Sequence, residues 1–255
     1  MYHFFVESYQ VTEDLKSVTV TGSDYNHMAK VFRMKVGEQF SVSITGDEKM
    51  REIFYEISEI TDESVVGRLC FVEEVGNELP SKIYLFQALP KVDKMELIVQ
   101  KAVELGAFCI VPMVTKRCVV KLDDKKALSK QKRWQAIAEA AAKQSKRSII
   151  PKVTMPMTMK QAIAFCGSEE ISVKLIPYEM ADDFEKTREI IGGITPGQDI
   201  ALFIGPEGGF AEDEIDMCRG AGIEPITLGR RILRTETAGF TAISWLMYHL
   251  EGKKE

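Results

Sequence analysis

The chain has 255 residues, 45% hydrophobic and 28% charged, with a formal net charge of −5, which is the composition of an ordinary globular protein long enough for one large or two modest domains. No run approaches the roughly 18 uncharged apolar residues that cross a bilayer, and residues 1–10 lack a basic segment followed by a long apolar stretch, so no membrane partner is expected and the expected location is cytoplasmic. Five scattered cysteines (Cys70, Cys109, Cys118, Cys166, Cys218), no C-x-x-C pair and only three histidines argue against a metal site or a disulfide framework; Cys109 and Cys166 lie in apolar runs and read as small buried hydrophobes.

From Tyr2 to about residue 75 the chain is a series of short alternating or β-branched runs (HFFVE, SVTVTG, QFSVSITG, REIFYEISEI, SVVGRLCFVEE) punctuated by Gly22, Gly37, Gly46 and Gly67, the pattern of a small β-barrel. Residues 24–34 break it: Met28, Val31 and Phe32 fall at helical spacing and predict a short helix packed on the barrel. The polar stretch EEVGNELP, residues 73–80, reads as a linker. The expected organisation is therefore a barrel domain over 1–75 and a second domain over 76–255.

After Pro80, apolar strands alternate with helical segments, as in a parallel sheet covered by helices. The candidate strands are 83–89, 108–114, 171–177, 200–204 and 226–228. Asp93 is the expected cap of a helix whose buried face is Met95, Ile98, Val99 and Ala102 and which Gly106 stops. Ser129 is the expected cap of a basic, alanine-rich helix reaching about Ser145, and Thr235 that of a final helix running to about Leu250. That last helix carries Phe240, Ile243, Leu246, Met247 and Leu250 on a broad apolar face, suited equally to a core and to a dimer interface.

Charge is unevenly spread. Residues 81–154 hold 16 basic against 6 acidic groups, a local excess of +10, while the flanking thirds are −8 and −7. A local basic surface is what an RNA-binding protein requires, although lysines solvated along helices account for the same count.

Two loops carry the chemistry. IALFIGPEGGF, residues 200–210, is a buried strand ending in glycines that let main chain approach a ligand at the carboxyl end of a sheet strand. It has neither the Lys-Ser/Thr of a P-loop nor dinucleotide-fingerprint spacing, and Glu207 makes it anionic, which suits a cationic ligand such as a sulfonium. LGRRILRTETA, residues 228–238, clusters Arg230, Arg231 and Arg234 ahead of a helix and concentrates positive potential there.

These two loops, preceded by QALPKVDKMELIVQKAVELGA, IVPMVTKRCVVK and RWQAIAEAAAKQSKRSIIPKV and, further upstream, by HFFV and HMAKVFRMKVGE, resemble the RsmE family of ribosomal small-subunit RNA (uracil-N3)-methyltransferases in order and spacing over essentially the whole chain. The resemblance implies an α/β fold of the SPOUT class: a parallel-sheet methyltransferase domain with a C-terminal trefoil knot, after a small PUA-like β-barrel RNA-binding domain. It implies a homodimer that uses S-adenosylmethionine, without a metal, to methylate N3 of one uridine of 16S ribosomal RNA, uridine 1498. Carried over by position, the cofactor contacts would be Leu175, Pro177, Tyr178, Glu179, Gly205, Pro206, Glu207, Gly208, Gly209, Leu228, Gly229, Ile232 and Leu233, with Leu228, Ile232 and Leu233 walling the adenine pocket.

Within that resemblance, removing the N3 proton leaves negative charge on O2 and O4 of the base, so a guanidinium is needed nearby. Arg234 is the first choice and Arg230 or Arg231 the alternatives. Glu236 is a candidate base, although its place favours a helix-start carboxylate over that role. RNA contacts fall to Arg33, Lys91, Lys94, Arg117, Lys121, Gln144 and Arg147. His3 stands where the family often has arginine, and Ala211 is a poor cap for the helix after the glycines, for which Glu212, Asp213 and Glu214 compensate. Methylation of another RNA site and a non-catalytic RNA-binding role are the competing readings.

Overall fold

The structure, a computed structural model, describes residues 1–74, 76–91 and 94–251, and these form two compact units. One comprises Met1–Glu78 with Ala142–Ile150; the other comprises Leu79–Ala141 with Pro151–Glu255.

In the first unit, β1 (Tyr2–Val6), β2 (Ser17–Thr21), β3 (Gln39–Ile44), β4 (Glu52–Ile60) and β5 (Ser64–Glu73) pair in the order β1-β3-β4-β5-β2. Alternation along each strand sends Phe4, Val18, Phe40, Ile53, Tyr55 and Val65 into one core. Gly67 sits where that core is tightest: a Cβ there would stand 2.8 Å from the Phe40 ring and 2.9 Å from both Tyr55 and Val18. The expected short helix begins earlier than read, as α1 (Gly22–Asn26), and continues into a wider turn, His27–Val31, closed by Phe32 N–H donating to the His27 carbonyl. That five-residue spacing rotates the later side chains outward. Met28 is fully buried, whereas Val31 and Phe32 are exposed and Phe32 stacks on Tyr2, ring centres 4.0 Å apart. His3 is a core residue whose Nδ1 lies 3.1 Å from Ser41 Oγ and 3.4 Å from the Glu52 carboxylate.

The second unit is built on β6 (Ile83–Ala88), β7 (Ala107–Val114), β8 (Lys152–Val153), β9 (Met157–Thr158), β10 (Val173–Pro177), β11 (Ile200–Ile204) and β12 (Glu224–Ile226). All its described pairings are parallel, in the order β12-β10-β11-β6-β7-β8 with β9 also beside β7. β6 and β11 are buried along their whole length, which is why they read as continuous apolar runs, and Phe86 and Phe203 stack across them at 4.4 Å. Cys109, Cys166 and Cys218 lie in or beside this core, where burial pushes the first two thiols up to about 12 and the third to about 11.

The helices are α2 (Lys94–Glu104), α3 (Asp124–Gln144), α4 (Met159–Ser168), α5 (Phe184–Gly193), α6 (Glu212–Gly220) and α7 (Thr235–Glu251). α2 buries the predicted face, with Val103 added, and ends before Gly106 at φ +96; its expected cap, Asp93, lies outside the described residues. Ser129 is not a cap. α3 starts six residues earlier because the Asp123 carboxylate accepts the Lys126 N–H at 2.8 Å. β12 ends at Ile226, short of the expected 226–228, because the Thr227 N–H turns away to the Thr187 hydroxyl. At α6 the want of a hydroxyl at Ala211 is met by Glu214, whose carboxylate reaches back to the Ala211 N–H at 2.9 Å. No helix of the described residues is long and apolar enough to cross a membrane.

Candidate active site at three neighbouring strand ends

Because β12, β10 and β11 are adjacent and parallel, the loops leaving their carboxyl ends stand side by side. They surround a cavity of about 340 Å³, within the range of small-molecule sites. Pro177, Tyr178 and Glu179 line it from the first loop, Gly205, Pro206, Glu207 and Gly209 from the second, and Leu228, Gly229, Ile232 and Leu233 from the third. The cavity therefore gathers eleven of the thirteen cofactor residues anticipated above. Leu175 instead lies 1% exposed inside β10, and Gly208 faces Arg117.

Local sequence explains the shape of the loops. A Cβ on Gly205 would press on the Phe210 ring at 3.2 Å and on the Gly209 Cα at 3.3 Å, so a side chain there would require the ring or the turn to give way. Gly229 has φ +100, a conformation that a side chain strains, and its N–H is drawn to the Thr227 hydroxyl at 3.2 Å. Phe210, Thr227, Thr235 and Ala238 also line the cavity and went unnoticed as site residues. For the two threonines the only cue was a hydroxyl flanking a glycine or arginine cluster.

The electrostatics differ from the simple picture of an anionic glycine loop. Burial acts to raise the Glu207 carboxyl, but the backbone N–H groups of Glu207 and Lys91 and the Lys94 ammonium outweigh it and hold the group below the ordinary carboxylate value. Lys91 N–H donates to it at 3.0 Å and Lys94 stands 3.5 Å away, so much of its charge is already compensated. Lys94 also pairs with Glu236 at 3.2 Å. On the other side, Arg117 donates to the Gly208 carbonyl at 2.8 Å, while Lys116 pairs with Asp213 and donates its own N–H to Glu214. Arg230, Arg231 and Arg234 line the cavity, are exposed, and make no side-chain hydrogen bond or ion pair among the described residues.

The seven residues anticipated as RNA contacts fall in both units. Lys91, Lys94, Arg117 and Lys121 belong to the second, and the first three of them touch the glycine loop or the carboxylates beside it. Arg33 and Gln144 are exposed in the first unit. Arg147 is different: it is 3% exposed, with Nε 2.9 Å from both oxygens of Glu78, and a guanidinium held so has no reach to a phosphate. Thr235 is the first residue of α7 and not its cap, since its hydroxyl donates to the Gly205 carbonyl at 2.6 Å.

Comparison with known proteins bears on this arrangement. A family model described as RNA methyltransferase domain matches residues 77–247, and one described as RNA methyltransferase PUA domain matches residues 20–70. The chain is 34% identical over 258 residues to the ribosomal RNA small subunit methyltransferase E of Bacillus subtilis (strain 168), covering 98% of each. It belongs to the ribosomal RNA small subunit methyltransferase E family. A crystal structure of the Neisseria gonorrhoeae family member bound to S-adenosyl methionine superposes with a TM-score of 0.78 at 29% identity, covering 97% of each chain. A Legionella pneumophila methyltransferase in complex with the same cofactor is 34% identical over 96% of each chain, with a TM-score of 0.77. The α/β class with a parallel sheet and the PUA-like first part implied by the family resemblance hold for this chain.

Proposed function

We propose that this protein transfers a methyl group from S-adenosylmethionine to N3 of one uridine in the 16S ribosomal RNA of the small subunit, at the position equivalent to uridine 1498. The observation that carries the reading is the convergence of the glycine loop and three unpaired arginines on one cavity. The cavity fits the cofactor: apolar walls from Pro177, Leu228 and Leu233 and main chain left bare by glycines suit an adenine held by backbone groups. When bound, S-adenosylmethionine supplies an electrophilic methyl group.

The remaining work belongs to side chains of the chain itself. Arg234, one residue before α7 and without a partner, favours the uracil anion by taking up charge that develops on O2 and O4. Arg230 and Arg231, free on the same rim, serve phosphates of the RNA strand. Glu236, tied to Lys94, we assign to holding the start of α7. The PUA-like part, with Arg33 and Gln144 exposed, supplies further RNA contacts. Phe240, Trp245 and Met247 are partly exposed and Tyr248 is 82% exposed on α7, which supports a homodimer face, and the return of α7 after loop 227–234 is in keeping with a trefoil knot.

The test is direct. Small subunits from cells lacking this protein are incubated with the purified enzyme and labelled S-adenosylmethionine, and the RNA is digested for mass spectrometry. The expected product is a single 3-methyluridine. Label on a ribose 2′-hydroxyl or on a guanine would replace the uracil assignment, and no label would sink the enzymatic one.

A further inference from the structure

β6 contains one residue that burial alone would forbid. Gln87 is fully buried in a strand otherwise composed of apolar and aromatic side chains, and its Oε1 has no hydrogen-bond partner. An orphaned buried acceptor costs about 1–3 kcal/mol, so a glutamine here calls for a compensating role.

The other end of the amide supplies one. Nε2 donates to the Ala88 carbonyl at 3.0 Å and to the Thr235 hydroxyl at 2.9 Å. A hydroxyl has a single proton. With Thr235 accepting from the amide, that proton is left to the Gly205 carbonyl, which it meets at 2.6 Å. The relay therefore runs in one direction, from strand core to helix start to glycine loop, and every side chain in it is buried. Its three members come from separate stretches of the chain: Gln87 lies in β6, Thr235 is the residue after Arg234, and Gly205 follows β11, whose Ile204 pairs with Gln87 itself. Gly239 lies one turn further along α7, and a Cβ there would stand 3.6 Å from Gln87 Oε1 and 3.8 Å from Ile204, so the helix approaches the strand closely at this point.

We infer that Gln87 and Thr235 are positioning residues for methyl transfer: they lock the arginine loop to the glycine loop, so that Arg234 stands at a set place relative to the cofactor cavity. The inference rests on the catalytic reading of Arg234 given above. Neither side chain needs to touch substrate. Without the Thr235 hydroxyl the Gly205 carbonyl loses its partner and the start of α7 loses its tie to the loop, while the apolar cavity walls stay in place.

Thr235→Val removes the hydroxyl and keeps the branched shape; Thr235→Ser keeps the hydroxyl; Gln87→Met breaks the relay from the strand side, so that the outcome does not depend on one variant folding. Each is compared with wild type and Arg234→Ala for kcat at saturating RNA and cofactor, for the dissociation constant of S-adenosylhomocysteine, and for the thermal midpoint. Thr235→Val and Gln87→Met are expected to lower kcat by roughly 10²-fold, the scale of a small misplacement of a catalytic group. Product affinity of Gln87→Met, which lies behind the cavity wall, should change less than about threefold and Thr235→Ser should recover most of the turnover, a split that marks an effect confined to the transition state. Unchanged kcat in both variants, loss of affinity in proportion to kcat in Gln87→Met, or failure of serine to rescue would each overturn the inference. Should Arg234→Ala itself keep full turnover, the catalytic reading fails first; should it abolish turnover while Thr235→Val does not, the relay alone is refuted.

Discussion

Segment 142–150 and loop 228–238 are both rich in basic residues, yet the structure uses them in opposite ways. In the first, Arg147 is buried against the Glu78 carboxylate, which also accepts the Ser148 N–H at 2.8 Å, and Lys143 reaches Asp24 at 3.1 Å. In the second, three arginines rim a cavity with their guanidinium groups unengaged. A buried, paired cation contributes to folding and is silent electrostatically, while an exposed, unpaired one projects its field and is open to a ligand. Basic residues count toward RNA binding only after their internal partners are known.

Substitutions should separate the two roles. The largest effect is expected for Arg234→Ala, a fall in kcat of about 10²–10³-fold, the usual cost of removing a group that stabilises developing charge. Its thermal midpoint and S-adenosylhomocysteine affinity should stay near those of wild type in calorimetry; a destabilised protein would place Arg234 with Arg147 instead. Arg147→Ala should behave the other way, losing about 3 kcal/mol of unfolding free energy in denaturant because the partly buried Glu78 loses the guanidinium that faces it and keeps only the Ser148 and Ile149 N–H groups. Turnover per folded molecule should be retained, and a steeper loss of RNA affinity than of stability would return Arg147 to the RNA surface.

The smallest effect is a pH dependence in the same unit. Burial acts to raise the Glu52 carboxyl, but the hydrogen bonds from His3 and Ser41 and the nearby Lys146 ammonium outweigh it and hold it low. A depressed carboxyl adds stability that is complete above its ordinary value and is lost as pH falls through the lowered one. Glu52→Gln should therefore cost on the order of 1 kcal/mol near neutrality, and the gap from wild type should close on acidification. A gap that widens towards acid would show that Glu52 is not the group concerned.

The centre of the parallel sheet was legible because β6 and β11 are buried along their whole length and so stand out as uninterrupted apolar runs, Ile200–Ile204 to the residue, whereas the two-residue β8 and β9 carry no such run. The two loops were legible because glycine and clustered arginine at strand ends have few purely structural uses. Caps were less legible: Ser129 offers a hydroxyl, but Asp123, an equally good acceptor six residues earlier, holds the helix start. Val31 and Phe32 were misplaced because a single wide turn undoes the 3.6-residue period on which their assignment relied. Arg147 and Gln87 could not be read at all, since their partners, Glu78 and Thr235, are 69 and 148 residues away and pairing at that separation leaves no local pattern.

The membership of Ala142–Ile150 in the first unit has a consequence for synthesis. A nascent chain that has just released Glu78 already contains all five strands β1 to β5, but neither Lys143 for Asp24 nor Arg147 for Glu78. At elongation rates of about 5–20 residues per second, these two acidic groups wait for several seconds while β6, α2, β7 and most of α3 emerge. The amino-terminal fold is thus completed only after residues 79–141 of the following one have been made, and a fragment cut at residue 78 would carry the strands without the ties that close them.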